Sequence, residues 1–358
     1  MKKYSSIVAM AAPVLLFAMS ISAEVHTWKD KDGNIIFSAS PPQGIKNESD
    51  SDNPAMAARA TYALKAAMDL NRGDMVKNLS EITNLILQGN FTEFERRSKQ
   101  YEQRFLKDPL YESPLCKLYN SLDYTDSRLL EKLDDWVRKR PSYASHAARG
   151  VYKVNLGYHI RGGEYIRDTP PENIAEMKRL HTEAKKDLLA AINANKRLSP
   201  VYCSLIRIAR ASGGIVDSES ILASAVRSIP ETYYIRYEYL RSSEPRWGGS
   251  YRQMQEYADS LDNEALRNPR IWSLKGEIAA ERGFTARLDK DYGQAIQYYT
   301  EALSYGDRLS FLKIRGYLYM IIGQDELALS DFTRSNEFGI YDKEIEGYIA
   351  DLKNKLHR

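Results

Sequence analysis

The chain has 358 residues, 43% of them hydrophobic, which excludes wholesale disorder and allows one extended repeat array or two compact domains. Lysine and arginine number 51 against 48 aspartate and glutamate, a net of +3, so charge alone gives no reason to expect a nucleic-acid partner. Lys2 and Lys3, an apolar stretch from Ile7 to Met19, and the small residues Ser20, Ser22 and Ala23 are the three parts of a secretory signal peptide, residues 1–23, of bacterial appearance. An uncleaved N-terminal anchor is the weaker alternative, because the stretch is short and Pro13 interrupts it. Neither Cys116 nor Cys203 lies beside the cleavage site to take a lipid, and no later segment is apolar enough to span a bilayer. The mature chain is therefore expected to be periplasmic or secreted, with no transmembrane segment after cleavage.

Residues 24–42 predict a small β-hairpin: β-rich runs flank Asp30-Lys31-Asp32-Gly33-Asn34, and Pro41-Pro42 ends the second. A two-stranded ribbon is barely stable alone, so Trp28 and Phe37 are expected to dock it on the body. The stretch EVHTWKDKDGNIIFSASPP resembles a short N-terminal module of exported bacterial proteins, a likeness that implies no chemistry. Residues 43–54 read as a polar linker.

From Ala55 onward the apolar period is helical. Leu79, Ile82 and Ile86 share one face of a helix that Gly89-Asn90 ends; Phe91, Phe94, Tyr101 and Phe105 stripe the next. Leu129, Leu130, Leu133, Trp136 and Val137 form another apolar face, with the basic run Arg138-Lys139-Arg140 at its end, where cations suit the helix dipole. Thr169-Pro170-Pro171-Glu172 predicts a helix start in which the threonine caps and the glutamate reaches back. Further helices are expected over 200–212, 218–228 and 232–242.

Near the C-terminus, Trp272, Gly276, Ala295, Tyr299 and Ala302 recur as Leu312, Gly316, Ala328, Phe332 and Ser335, with Ala295 and Ala328 33 residues apart. The small residues would let paired helices approach, with Tyr299 and Phe332 filling the space beyond. On these residues, segments 263–341 resemble tetratricopeptide repeats, and the fold class expected is all-α: a tetratricopeptide-like α-solenoid with a small N-terminal β-hairpin. Two departures stand out: about seven extra residues around Phe284 to Lys290, and no proline closing each unit. Residues 342–358 are polar enough for a C-terminal capping helix. Residues 55–262 form a less regular helical-repeat region; its helix pairs and the segment Glu244 to Ser250 resemble a bacterial helical family of unknown function, from about Leu79 to Leu261. Physics accounts for that segment without a ligand, as a structural turn: Pro245 stops a helix, Gly248 and Gly249 permit a sharp turn, Ser250 with Gln253 makes a capping box, and Trp247 anchors the corner in the core.

His26, His146, His159, His181 and His357 are scattered, and zinc spacings, phosphate loops and nucleophile elbows are absent, so no cofactor, no metal and no enzymatic activity is expected. The neighbours Asp134 and Asp135 read as solvent charges. An oxidising compartment would permit a disulfide, but Cys116 and Cys203 lie 87 residues apart, and in an array whose units touch only their neighbours two buried, unreactive thiols are favoured. In a tetratricopeptide-like array the first helix of each pair lines a groove; spacing by three and four selects Arg270, Ser273 and Glu277 in one repeat, and Ser310, Lys313 and Tyr317 in the next. Lys313 matches one basic position of a carboxylate clamp, without its asparagine partners. The tyrosine cluster Tyr233, Tyr234, Tyr237 and Tyr239 exceeds what one helix buries and suggests contact surface. The expected function is a protein-binding module or scaffold of the bacterial envelope, its protein or peptide partner unidentified and no nucleic acid involved; the alternatives are an immunity-type periplasmic inhibitor of a toxin or an enzyme acting on envelope polymers.

Overall fold

The computed structural model describes residues 26–29, 35–38, 53–73, 79–164 and 166–356. The chain divides into two units, Met1–Pro54 and Ala55–Arg358. In the first, β1 (His26–Lys29) and β2 (Ile35–Ser38) pair antiparallel in a register that sets Thr27 against Phe37 and Trp28 against Ile36. The signal peptide, the intervening turn cluster, the side chains expected to dock the strands and the linker up to residue 52 lie outside the described residues.

The second unit, where described, is helical throughout. Its helices are α1 (Pro54–Gly73), α2 (Leu79–Leu87), α3 (Phe91–Phe105), α4 (Glu112–Asn120), α5 (Arg128–Lys139), α6 (Tyr143–Arg161), α7 (Pro171–Ala194), α8 (Ser199–Ala211), α9 (Ile215–Ser228), α10 (Tyr234–Ser242), α11 (Tyr251–Asp259), α12 (Asp262–Arg267), α13 (Glu277–Leu288), α14 (Tyr292–Leu303), α15 (Leu309–Ile321), α16 (Asp325–Asn336) and α17 (Lys343–Leu356). A run of 3₁₀ helix, Pro269–Gly276, leads into α13. Glycines in the left-handed region end several helices, among them Gly89 (φ 71°), Gly162 (φ 80°) and Gly213 (φ 72°), a conformation a Cβ disfavours. The expected cap at Thr169 is corrected: α7 starts with Pro170 as its cap and no side-chain cap bond, because the proline ring sets the first-turn angle by itself.

Consecutive helices pack as pairs, α6 with α7, α8 with α9, α13 with α14, and α15 with α16; α8 packs on α6 and α7, α10 packs on α8 and α9, and α14 packs on α15. The apolar interior follows this order as a succession of clusters. One, around Phe94, Tyr119 and Trp136, joins α2 to α10, with Phe91 stacked on Trp136 at 4.8 Å. Another centres on Ala295, Tyr299 and Leu312, and a last one buries Ile345, Ile349 and Leu352 of α17 against Ala328 and Phe332. Burying one such side chain contributes about 1.5–3 kcal/mol, so α17 is held by its own apolar stripe.

The repeat register differs from the one read in the sequence. Gly283 packs on the Tyr299 ring, where an added Cβ would sit 3.0 Å from Cε2, and Gly316 packs in the same way on Phe332, at 2.7 Å from Cε1. Gly283 and Gly316 are 33 residues apart, as are Ala295 and Ala328, and Tyr299 and Phe332. The supposed insertion around Phe284 to Lys290 is therefore the end of α13, up to Leu288, and the turn after it, and both repeats have one length. Gly276 lies outside this register; it meets the backbone of the next helix, with an added Cβ only 2.5 Å from the Ala302 carbonyl oxygen. Lys290 (φ 61°) holds the left-handed turn that Gly323 (φ 75°) holds one repeat later.

Helix α1 packs on the C-terminal repeats. Its Met56 and Ala60 share a cluster with Trp272 and Tyr305, Asp307 donates its backbone N–H to Thr61 Oγ1 at 2.7 Å, and Lys65 pairs with Glu337. Gly306 (φ 125°) sits against the Ala57 carbonyl and Ala60, where an added Cβ would lie 3.1 Å from each.

Candidate functional site

The residues expected to line a groove in α13 and α15 are mostly spent on structure. Arg270 is 1% exposed and Ser273 is fully buried, because both precede the true repeat register and lie in the 3₁₀ run. Ser273 donates to the Arg270 carbonyl at 2.7 Å. Glu277 is buried in an ion pair with Arg308, whose guanidinium stacks over Tyr237 and Phe311. Lys313 is paired with Asp342 at 2.6 Å, and Tyr317 is half-buried, edge-on to Phe332 and Tyr348. Ser310 borders a cavity of about 220 Å³ with Tyr233, Tyr234, Tyr237, Arg270 and the α1 residues Leu64 and Met68. The tyrosine cluster is accounted for there: Tyr233 and Tyr239 are buried, while Tyr234 and Tyr237 line the cavity with Arg270 and Arg308 over their rings.

Arg270 belongs to a buried polar network centred on Glu112, which is 0% exposed. The first turn of α10 leaves unpaired N–H groups, and the Glu112 carboxylate takes them, accepting from Tyr233 N at 2.7 Å and Tyr234 N at 3.3 Å. It also accepts from the hydroxyls of Ser199, at 2.5 Å, and Thr232, and lies 3.5 Å from Arg270 Nη2. Arg270 donates in addition to the Pro109 carbonyl at 2.6 Å. One carboxylate thus ties together α4, α8, α10 and the 3₁₀ run. Nothing in the sequence around Glu112 marks it, since its partners come from 87 to 158 residues away.

Beside this network a second cavity, of about 320 Å³, opens between α4, α8 and α10. Polar side chains line it beside Cys116 and Cys203: Ser113, Lys117 and Asn120 of α4, Ser204 and Arg207 of α8, Tyr234 and Glu238 of α10. Asn155 of α6 completes it, accepting from Arg207 Nη1 at 2.8 Å and donating to Asn120 Oδ1 at 3.2 Å. Arg207 also stacks over Tyr158 at 4.8 Å. Glu238 is compensated by Arg210 at 2.8 Å, whereas neither Lys117 nor Arg207 has a carboxylate partner among the described residues. The half-buried wall therefore carries two cations without counter-ions, which favours an anionic group. The sequence signal was available in principle: Lys117 and Asn120 on α4, and Ser204 and Arg207 on α8, are each spaced by three, but only packing shows that they face one cavity.

The corner at Pro245 to Ser250 is a 3₁₀ turn over Pro245–Trp247 followed by Gly248 (φ 90°). Gly249 is fixed by space, since an added Cβ would lie 2.0 Å from the Ser243 carbonyl oxygen. Ser250 accepts from Gln253 N at 3.2 Å, but its hydroxyl donates to the Gln253 side-chain oxygen, so the reciprocal half of the expected box is missing. Trp247 is half-buried with Arg210 over its ring at 5.6 Å; it is a lid on that arginine and not a core anchor. Arg246 bridges Glu244, at 2.6 Å, and Glu281, at 3.0 Å. Burial, with the neighbouring Glu244 charge adding to it, pushes the Glu281 carboxyl up to about 7. Both acids are buried, so they serve as a structural pair. Asp134 and Asp135 are paired with Arg149 and with Lys139 at the surface.

Among the described residues there is no group of His, Cys, Asp and Glu suited to a metal, and no helix is long and apolar enough to cross a membrane. A family described as a domain of unknown function (DUF4124) matches residues 14–63. No curated protein matches the chain. Among solved structures, the chain is similar to a tetratricopeptide repeat protein from Parabacteroides merdae, with 12% identity over 73% of this chain and 99% of that one and a TM-score of 0.32. It is also similar to the APC/C hetero-tetramer Cut9-Hcn1, with 15% identity over 86% of this chain and 58% of that one and a TM-score of 0.35. Packed helix pairs, the last two of them sharing a 33-residue register, make the described part of the second unit an all-helical, solenoid-like fold.

Proposed function

We propose that the chain is an exported helical-repeat scaffold of the bacterial envelope, periplasmic or secreted, that binds a protein or peptide segment and catalyses no reaction. The strands β1 and β2 are read as a small hairpin module at its N-terminus. One observation carries the binding assignment: Lys117 and Arg207 present positive charge without a carboxylate partner among the described residues, in a cavity formed by α4, α8 and α10. That chemistry suits an acidic side chain or a chain-terminal carboxylate, held by charge-assisted hydrogen bonds. The groove first expected at Glu277, Lys313 and Tyr317 is a poorer site, since its charges already have partners.

The test is binding of fluorescent acidic and basic peptides of equal length to the full chain, with wild type compared with Lys117→Glu/Arg207→Glu. Acidic peptides should bind in a salt-sensitive way, and the double reversal should weaken them at least about tenfold while favouring the basic set. Equal affinity of both sets, or no effect of the double reversal, would remove this groove from the assignment. An immunity-type role is a narrower form of the same reading, in which the bound segment belongs to a toxin.

A further inference from the structure

Helices α4 and α8 lie side by side with a constant offset of 87 residues. Glu112 faces Ser199, with the hydroxyl 2.5 Å from the carboxylate. Two turns further along, Asn120 and Arg207 are joined through Asn155. Between these two levels the same step of four residues brings Cys116 opposite Cys203. The side chains agree with the alignment: both cysteines line the cavity of about 320 Å³, and the Cys116 thiol donates to Ser199 Oγ at 3.8 Å. The expectation of two remote thiols fails because the helices that carry them are spatial neighbours without being a consecutive pair.

We propose that Cys116 and Cys203, free thiols in this structure, are the site of a disulfide that ties α4 to α8 across the floor of the polar cavity. Cys203 is the more exposed of the two and is the thiol that reacts first with an oxidant in solution. With a small disulfide as oxidant, the Cys203 thiolate attacks one sulfur, the oxidant's S–S bond breaks and one thiolate leaves. The Cys116 thiolate then attacks the Cys203 sulfur of the mixed disulfide and expels the second thiolate. The protein pair loses two protons and two electrons, and the oxidant is reduced to two thiols. Burial raises the Cys203 thiol well above its ordinary range, with the adjacent Cys116 adding to the effect, so the first step is slow at neutral pH and accelerates in alkali. The inference rests on the packing of α4 on α8 and is independent of whether the cavity holds a partner.

The experiment uses the full chain, reduced and then exposed under native conditions to oxidised glutathione at neutral and mildly alkaline pH. Free thiols are counted after denaturation and peptides are mapped by mass. The wild type should lose both thiols together, give a cross-linked peptide pair joining Cys116 to Cys203 with no retained glutathione, and unfold at a higher temperature than its reduced form. Cys116→Ser should instead stop at a stable Cys203 glutathione adduct, because no second thiol is in place to release it. Two persistent free thiols in the wild type at alkaline pH, or glutathione retained on both cysteines, would overturn the proposal. Cross-links only between separate molecules would do so as well.

Discussion

Replacing Glu112 by alanine is the most demanding test of the packing described above. The substitution removes the acceptor for two N–H groups of α10 and for the hydroxyls of Ser199 and Thr232, and leaves Arg270 buried without its carboxylate. Hydrogen bonds to a charged group contribute about 1.5–3 kcal/mol each, but their sum overstates the loss, because hydroxyls find other partners and water enters the space. Breaking a buried ion pair from one side costs about 3–5 kcal/mol, and about 4 kcal/mol is the expected loss here. At about 2–4 °C per kcal/mol, the Tm should fall by roughly 8–16 °C. Thermal and urea unfolding should be followed by circular dichroism and by tryptophan fluorescence, since an array of pairs need not unfold as one unit. Glu112→Gln keeps shape and one acceptor and should cost about half as much. In the Glu112→Ala background, Arg270→Met should cost markedly less than it does in the wild type, as expected for two ends of one interaction. A Tm for Glu112→Ala within about 2 °C of wild type, or strictly additive losses for the pair, would refute the assignment of Glu112 as the tie between four elements.

Two buried groups predict opposite responses to pH. Glu281, ordinarily near 4.5, sits at about 7 in the fold, so its stabilising effect is fully present below pH 4.5 and is lost as pH rises through 7. His181, ordinarily near 6.5, is held down to about 4 by burial, so its effect is fully present above pH 6.5 and is lost as pH falls through 4. Each is at most about 2–3 kcal/mol, and they offset one another between those limits. Urea midpoints measured from pH 4.5 to 7 should show that Glu281→Gln is more acid-sensitive than wild type and His181→Asn less so; parallel pH profiles for all three chains would be evidence against both environments. Gly283→Ala and Gly316→Ala should each cost about 1–3 kcal/mol by forcing the Tyr299 and Phe332 rings aside, and Gly249→Ala should cost at least as much because its obstacle is backbone. A neutral result at Gly283 in chemical denaturation would contradict the 33-residue register. Lys290→Gly should raise stability by a few tenths to about 1 kcal/mol, since it puts at φ 61° the residue type that Gly323 supplies one repeat later.

The sequence by itself determined the helices and the spacing of the second helix in each C-terminal pair. Apolar residues recurring by three and four commit a segment to one face wherever it packs, and Ala295 with Tyr299, then Ala328 with Phe332, repeat that face at a fixed distance. It left the first helices ambiguous, because Gly276 and Gly283 are seven residues apart, nearly two full turns, and so share a face. Only packing separates them: one glycine meets the Ala302 backbone, the other the Tyr299 ring. With the register shifted, Arg270 and Ser273 moved from an expected groove into the interior. The Glu112 network, the meeting of Cys116 with Cys203 and the cavity with Lys117 and Arg207 were likewise decided by tertiary structure. Each joins helices that are neighbours in space but distant in the chain, and side-chain periodicity reports which way a residue points, not what stands opposite it.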